Sequence, residues 1–219
     1  VLKQQNSSLL RANVTGADNL LPRIDAGLLP PVICNFASTG AVNLLNDIFQ
    51  NRNNENYTTL SPDICDYDRR TGLHLSAANN QIEVVKFFIE QGANVNFKDA
   101  FGRTPLREAV DVGNVDIIEL LKENGATIGL GSTKLATKLC TMIKNKEKET
   151  LKHWLICGID INVRDYDERT PLMIACAGND VETVKLLLNH GADPTATNRF
   201  NNNVLIYAKQ GAKNQEIIE

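Results

Sequence analysis

Apolar residues along this chain come in short paired bursts rather than in one continuous stripe. The first burst of each pair is rich in small side chains, as in LSAA (75–78) and MIACA (173–177). The second is bulkier. It runs through Val84/Val85 and Phe87-Phe88-Ile89, through Ile117/Ile118, and through Thr183/Val184 and Leu186-Leu187-Leu188. Such spacing predicts two helices per pair, the first slim enough for close stacking and the second carrying a bulky buried face. Asn80, Gly113 and Asn179 separate the two bursts, where a left-handed backbone suits Gly or Asn. Gly92, Gly125, Gly158 and Gly191 follow the second burst and predict left-handed helix caps.

The bursts recur at a fixed interval. With Asp66 set over Asp99, Ser132, Asp165 and Asn198, every step is 33 residues. Thr71, Thr104, Thr137 and Thr170 then share a column, as do Leu73, Leu106, Leu139, Leu172 and Leu205, and Asn96 and Asn162. Thr-Pro-Leu has a physical logic as a helix start. The hydroxyl caps free N–H groups, Pro loses nothing by lacking its own, and Leu begins the core face. A unit this short cannot bury its apolar face alone, so the period implies stacked neighbours.

The segments TGLH (71–74), TPLR (104–107) and TPLM (170–173), with GANVN (92–96), GIDIN (158–162) and GADPT (191–195), resemble the ankyrin repeat over about residues 26–219. The resemblance implies an all-α fold, an ankyrin-repeat solenoid of stacked helix-turn-helix units with extended β-hairpin-like fingers. It divides the chain into repeats at 26–65 (degenerate, with an Asn-rich loop at 51–62), 66–98, 99–131, 132–164 (degenerate), 165–197 and 198–219 (truncated). Residues 1–25 follow no repeat and read as a linker from an upstream domain. DYDRRT (66–71) and DYDERT (165–170) then mark a three-repeat unit present twice, and Cys34 and Cys140 hold the same place in the two degenerate repeats. The Asn-rich loop reads as a mobile insertion.

Composition narrows the partners. A net charge of −3 supplies no field for nucleic acid or anionic lipid. With 5% aromatics there is no basic stripe with interleaved stacking platforms. No apolar run reaches the roughly 18–20 residues that cross a bilayer. VLKQQNSSLL has neither the basic head nor the apolar stretch of a signal peptide, and it lacks Met, which suits a part of something longer. Five cysteines without a C-x-x-C pair suit reduced thiols in the cytoplasm. The N-x-S/T triplets at Asn6, Asn13 and Asn56 are then silent.

Candidate chemistry was weighed against structural roles. Asp66/Asp68 and Asp165/Asp167 suggest a carboxylate pair, yet they fall on solvated fingers, where Asp accepts hydrogen bonds from turn N–H groups. A calcium loop needs Gly sixth and Glu twelfth, where DYDRRTGLHLSA has Thr71 and Ala77. GLGSTK (129–134) lacks the spacing of a phosphate loop. His74 braces the helix start, as it does in the family. His153 and His190 stand on second helices without a partner at metal-ligand spacing. Cys34, Cys140, Cys176 and Trp154 fall on core columns. No catalytic, cofactor or metal residue is assigned. Ankyrin partners usually dock on fingertips and first helices, which nominates Tyr67, Asp68, Arg70, Phe101, Arg103, Tyr166, Asp167 and Arg169, types common in binding hot spots. Arg69 and Glu168 replace the Gly usual at these tips.

LLPPVICNFASTGAVNLL, the two DYD repeats and GATIGLGSTKLATKLCTMIKNKEKETLKHWLICGIDI together resemble the C-terminal ankyrin region of animal cytosolic type-I L-asparaginases. That resemblance implies a non-catalytic interaction or regulatory region. Its partner is a protein or the upstream catalytic domain, with a possible homo-oligomer through the parent. The family's T-G-G-T-I and H-G-T-D-T segments are absent from this chain. The ankyrin segments of kidney-type glutaminase and of plant potassium channels, and a free-standing protein-binding ankyrin protein, are alternatives.

Overall fold

A computed structural model describes residues 28–50 and 60–211. The expected linker (1–25), most of the Asn-rich loop and the chain end lie outside the described residues. Eleven α-helices form among them and no strand. The chain divides into two compact units, Val1–Asn94 and Val95–Glu219.

The first unit holds α1 (Leu29–Thr39), α2 (Val42–Gln50), α3 (Gly72–Ala78) and α4 (Ile82–Glu90). α1 packs on α3 and α2 on α4. Ile33, Ala37, Leu45, Leu73, Ala77, Val84, Val85 and Phe88 are fully buried. The rings of Phe49, Phe87 and Phe88 meet edge to face at 5.3–6.1 Å between centroids. Gly72 is required by this contact, since a Cβ there would stand 2.2 Å from the Phe88 ring.

The second unit holds α5 (Pro105–Val112), α6 (Val115–Glu123), α7 (Ser132–Asn145), α8 (Lys148–Ile156), α9 (Pro171–Ala177), α10 (Val181–Asn189) and α11 (Val204–Gly211). α7 and α11 pack on either side of α9 in sequence order, and α8 meets α5. Ile117, Ile118, Leu121, Leu139, Met142, Leu151, Trp154 and Leu172 form the core. Small residues on the first helices carry the close stacking, with Ala109, Ala136 and Ala175 wholly buried.

The helix punctuation follows the columns in most places. Thr71, Thr104 and Thr170 are extended N-caps whose hydroxyls accept from the N–H three residues on. His74 completes a capping box by accepting from Thr71 N–H at Nδ1, at 3.2 Å, and the same nitrogen lies 2.8 Å from the Thr71 hydroxyl. Asn80, Gly113 and Asn179 are left-handed, and so are Gly92, Gly125, Gly158 and Gly191.

Two columns depart. Thr137 caps nothing. It lies inside the 14-residue α7, where its hydroxyl donates to the Thr133 carbonyl. The degenerate repeat has Lys138 where the others carry Gly72, Pro105 and Pro171, residues that oppose a helix interior, and its first helix starts at Ser132, where the other repeats place a finger. Leu205 is 49% exposed, unlike Leu73, Leu106, Leu139 and Leu172. α11 packs chiefly against α9, which leaves its other side open among the described residues. Leu188, at the end of the bulky α10 burst, is likewise 42% exposed.

Candidate functional site

Four fingertips occur among the described residues, at 66–70, 99–103, 165–169 and 198–202, and each folds by the same hydrogen bonds. In the first, Asp66 N–H donates to the Arg70 carbonyl and Arg69 N–H to the Asp66 carbonyl, both at 3.0 Å. The Asp66 carboxylate closes the loop from inside: its Oδ1 accepts from Asp68 and Arg70 N–H, each at 2.9 Å. Asp99 and Asp165 repeat this pattern. Asn198 does the same with its amide oxygen, accepting from Phe200 and Asn202 N–H at 2.9 Å. An amide substitutes for the carboxylate here, so the position needs an acceptor rather than a charge. Asp66 and Asp165, the first Asp of each DYD, are the carboxylates that accept the turn N–H groups.

The residue after the tip carries strain. Arg69, Glu168 and Asn201 have φ of 60°, 57° and 59°, while the equivalent Gly102 sits at 72° at no steric cost. The usual turn is therefore kept at Arg69 and Glu168, and the side chains accept the left-handed backbone.

This framework pushes one aromatic per finger into solvent. Tyr67 is 93% exposed, Phe101 71%, Tyr166 80% and Phe200 67%. Of the nominated residues, the first unit carries Tyr67, Asp68 and Arg70, and the second carries Phe101, Arg103, Tyr166, Asp167 and Arg169. The arginines are partly committed internally. Arg103 pairs with the buried Glu108 at 3.3 Å, and Arg169 with Asp165 at 2.8 Å and Asp167 at 3.3 Å. Burial pushes the Asp165 carboxyl up, but the Arg169 guanidinium and the two backbone amides outweigh it and hold it below the ordinary range.

Phe200 was not among the nominated residues. The period places it 99 residues after Phe101, which was the signal for it. Its finger is joined to the preceding one: Arg199 reaches the Asp167 carboxylate at 3.1 Å, its N–H donates to the Asp167 carbonyl at 3.3 Å, and its guanidinium lies 5.9 Å from the Phe200 ring centroid.

A second column has a role that its residue types did not reveal. Asn96 Oδ1 accepts from Thr127 N–H at 2.7 Å, and its Nδ2 donates to the Gly125 carbonyl at 3.0 Å. Asn162 makes the matching bonds to Asp193 N–H and the Gly191 carbonyl. Asp63, in the same register, accepts from Asn94 N–H at 2.8 Å. These side chains stitch one repeat end to the next.

Four of the five thiols sit in surroundings that disfavour the thiolate. Burial pushes Cys34 and Cys157 up to about 12, and Cys140 and Cys176 up to about 11. Trp154 is fully buried, as its column implied. Among the described residues, no group of three or more His, Cys, Asp or Glu side chains could hold a metal ion, and no helix is long and apolar enough to cross a membrane.

The family model for ankyrin repeats matches residues 33–131 and 139–219. The chain belongs to the ankyrin repeat family. Among solved structures, the ankyrin repeat domain of human ASB11 superposes with a TM-score of 0.54 over 85% of this chain and 80% of that one, at 24% identity, a likeness of fold alone. Among curated proteins, an L-asparaginase of Dirofilaria immitis is 33% identical over 183 residues, 84% of this chain and 30% of its own length. A potassium channel of Arabidopsis thaliana is 26% identical over 217 residues, 91% of this chain and 26% of its own. A putative ankyrin repeat protein of Fowlpox virus is 30% identical over 58% of this chain. The chain spans about a third or less of each of these relatives. Ankyrin repeats are protein-interaction modules and in general not catalysts.

Proposed function

We propose that this chain is the protein-binding ankyrin region of a longer, cytoplasmic L-asparaginase, with its partner docking on the fingertips. The carrying observation is the exposed aromatic that each hydrogen-bonded fingertip presents. Such residues cost solubility and contribute nothing to the core, while rigid aromatics lose little entropy on binding. Tyr67, Asp68 and Arg70 serve docking in the first unit; Phe101, Arg103, Tyr166, Asp167 and Arg169 serve it in the second, where Phe200 joins them. The asparaginase parent is supported by the identity over 183 residues and by the duplicated three-repeat arrangement around the DYD segments. In this reading asparagine hydrolysis resides upstream, and the partner is that catalytic domain or a protein regulating it. Oligomerisation through the parent is compatible with it.

Two measurements test this. Asparagine hydrolysis should appear in the full-length gene product and not in the 219-residue chain. Activity in the isolated chain, or an upstream sequence encoding a channel pore or a glutaminase domain, would sink the parentage. Calorimetry of the chain against the separately expressed upstream domain should show binding. Joint Tyr67→Ala, Phe101→Ala and Tyr166→Ala should weaken it at least about tenfold, as expected for hot-spot residues, without moving the unfolding midpoint. Unchanged affinity would remove the fingertips from the interface.

A further inference from the structure

The fingerless repeat leaves a cleft in the second unit. α7 begins at Ser132, six residues ahead of where its neighbours begin their first helices, and no finger stands in front of it. The space beside the 99–103 finger is a cleft of about 590 Å³. Its walls are Phe101 and Gly102 on the finger, the 129–131 segment, the first two turns of α7, and four basic side chains: Lys98, Arg107, Lys134 and Lys138. No Asp or Glu lines it. In a chain of net charge −3, four cations gathered around one concavity repel one another until an anion arrives.

Their present partners are weak. Lys98 Nζ donates to the Gly129 carbonyl at 3.2 Å. Lys138 Nζ stands 5.7 Å from the Trp154 ring centroid. Arg107 Nε is buried without a hydrogen bond, and its ion pair with Asp111 is long, at 3.8 Å. α7 adds its free backbone N–H groups, with no side-chain cap and no acidic residue in its first turn.

We infer that this cleft docks an acidic peptide segment, rich in Asp or Glu, from a protein partner. The four cations sit on three separate elements, a spread that matches a series of carboxylates along an extended chain better than one compact anion. Phe101 at the rim offers an apolar contact for the peptide's stem. Complementary charge of this kind sets partner choice and speeds encounter. The site shares Phe101 with the fingertip reading, but its recognition rests on the four cations, and Tyr67, Tyr166 and Phe200 take no part in it.

The test uses the whole 219-residue chain, a fluorescein-labelled Glu-rich peptide and its Gln counterpart, read by anisotropy. The Glu peptide should bind saturably, weaken steeply with salt, and outcompete the Gln peptide. Lys134→Glu, on an exposed side chain, should weaken binding about tenfold, whereas Lys209→Glu on α11 changes net charge equally and should leave it within about twofold. Trp154 fluorescence verifies that both variants are folded. Equal losses in the two variants, or equal binding of the Gln peptide, would overturn the site. Displacement of the Glu peptide by inorganic phosphate or single-stranded RNA at lower concentration than unlabelled Glu peptide would reassign it to another anion and overturn the acidic-peptide assignment.

Discussion

Replacing Asp165 separates two things its carboxylate does. Oδ1 accepts the Asp167 and Arg169 N–H groups at 2.9 Å each, while Oδ2 receives Arg169 Nε at 2.9 Å. Asp165→Asn keeps an acceptor for the two backbone donors, as Asn198 demonstrates one repeat later, and loses only the charge pair with Arg169. That pair is partly solvated, with Arg169 30% exposed, so its loss should cost under about 1 kcal/mol. Asp165→Ala removes both acceptor bonds. Each is worth roughly 1–1.5 kcal/mol net, the Arg169 pair is lost as well, and water replaces part of the whole at the tip, so the expected loss is about 2–3 kcal/mol. Urea unfolding followed through Trp154, the single Trp of the chain and fully buried in the same unit, reads the difference. An Asn variant as unstable as the Ala variant would show that charge, not the acceptor, holds the finger. The pH dependence has a definite sign. Because the folded carboxyl titrates below its unfolded value of about 3.9, its contribution is complete above that value and is lost as pH falls through the folded one. Asp165→Asn should flatten that part of the acid limb.

Other outcomes follow from the same geometry. Glu168→Gly and Lys146→Gly place glycine at φ of 57° and 60°; each should stabilise by about 0.5–1 kcal/mol, the left-handed penalty less glycine's entropy, measured as a higher urea midpoint. Asn96→Ala breaks the tie to Thr127 and Gly125 and should cost about 1–2 kcal/mol, whereas the exposed Asn124→Ala serves as a near-neutral comparison. Iodoacetamide at mildly alkaline pH should leave Cys34, Cys140, Cys157 and Cys176 largely unmodified until urea unfolds the chain, as mass spectrometry of the peptides would report; rapid native labelling of Cys140 would contradict its burial.

The periodic columns were legible because each reports a local interaction. A Thr three residues ahead of the amide it caps, a Gly or Asn at a left-handed turn, and an Asp closing a five-residue finger all act within one turn of chain. Their residue types therefore announce their jobs. Trp154 and Cys176 were legible as core for the same reason, since their columns hold Phe88, Leu121 and Leu187, and Ala77, Val110 and Ile143, in the other repeats. The fingertip aromatics were visible through register, although Phe200 was passed over despite sharing the column of Phe101.

Other features required contacts across a whole repeat. Thr137 matched the capping column, yet with Lys138 rather than Pro or Gly behind it the helix ran six residues further back and consumed the finger. Asn96 and Asn162 looked like ordinary turn residues, but their partners lie 29–31 positions away. The cationic cleft brings together Lys98, Arg107, Lys134 and Lys138, spread over three repeats and separated by elements whose packing alone decides whether they meet. Sequence by itself determined the repeat, its caps and its core, since those depend on neighbours along the chain. Tertiary structure decided which finger was lost and what charge surrounds the gap, since those depend on how successive helices stack.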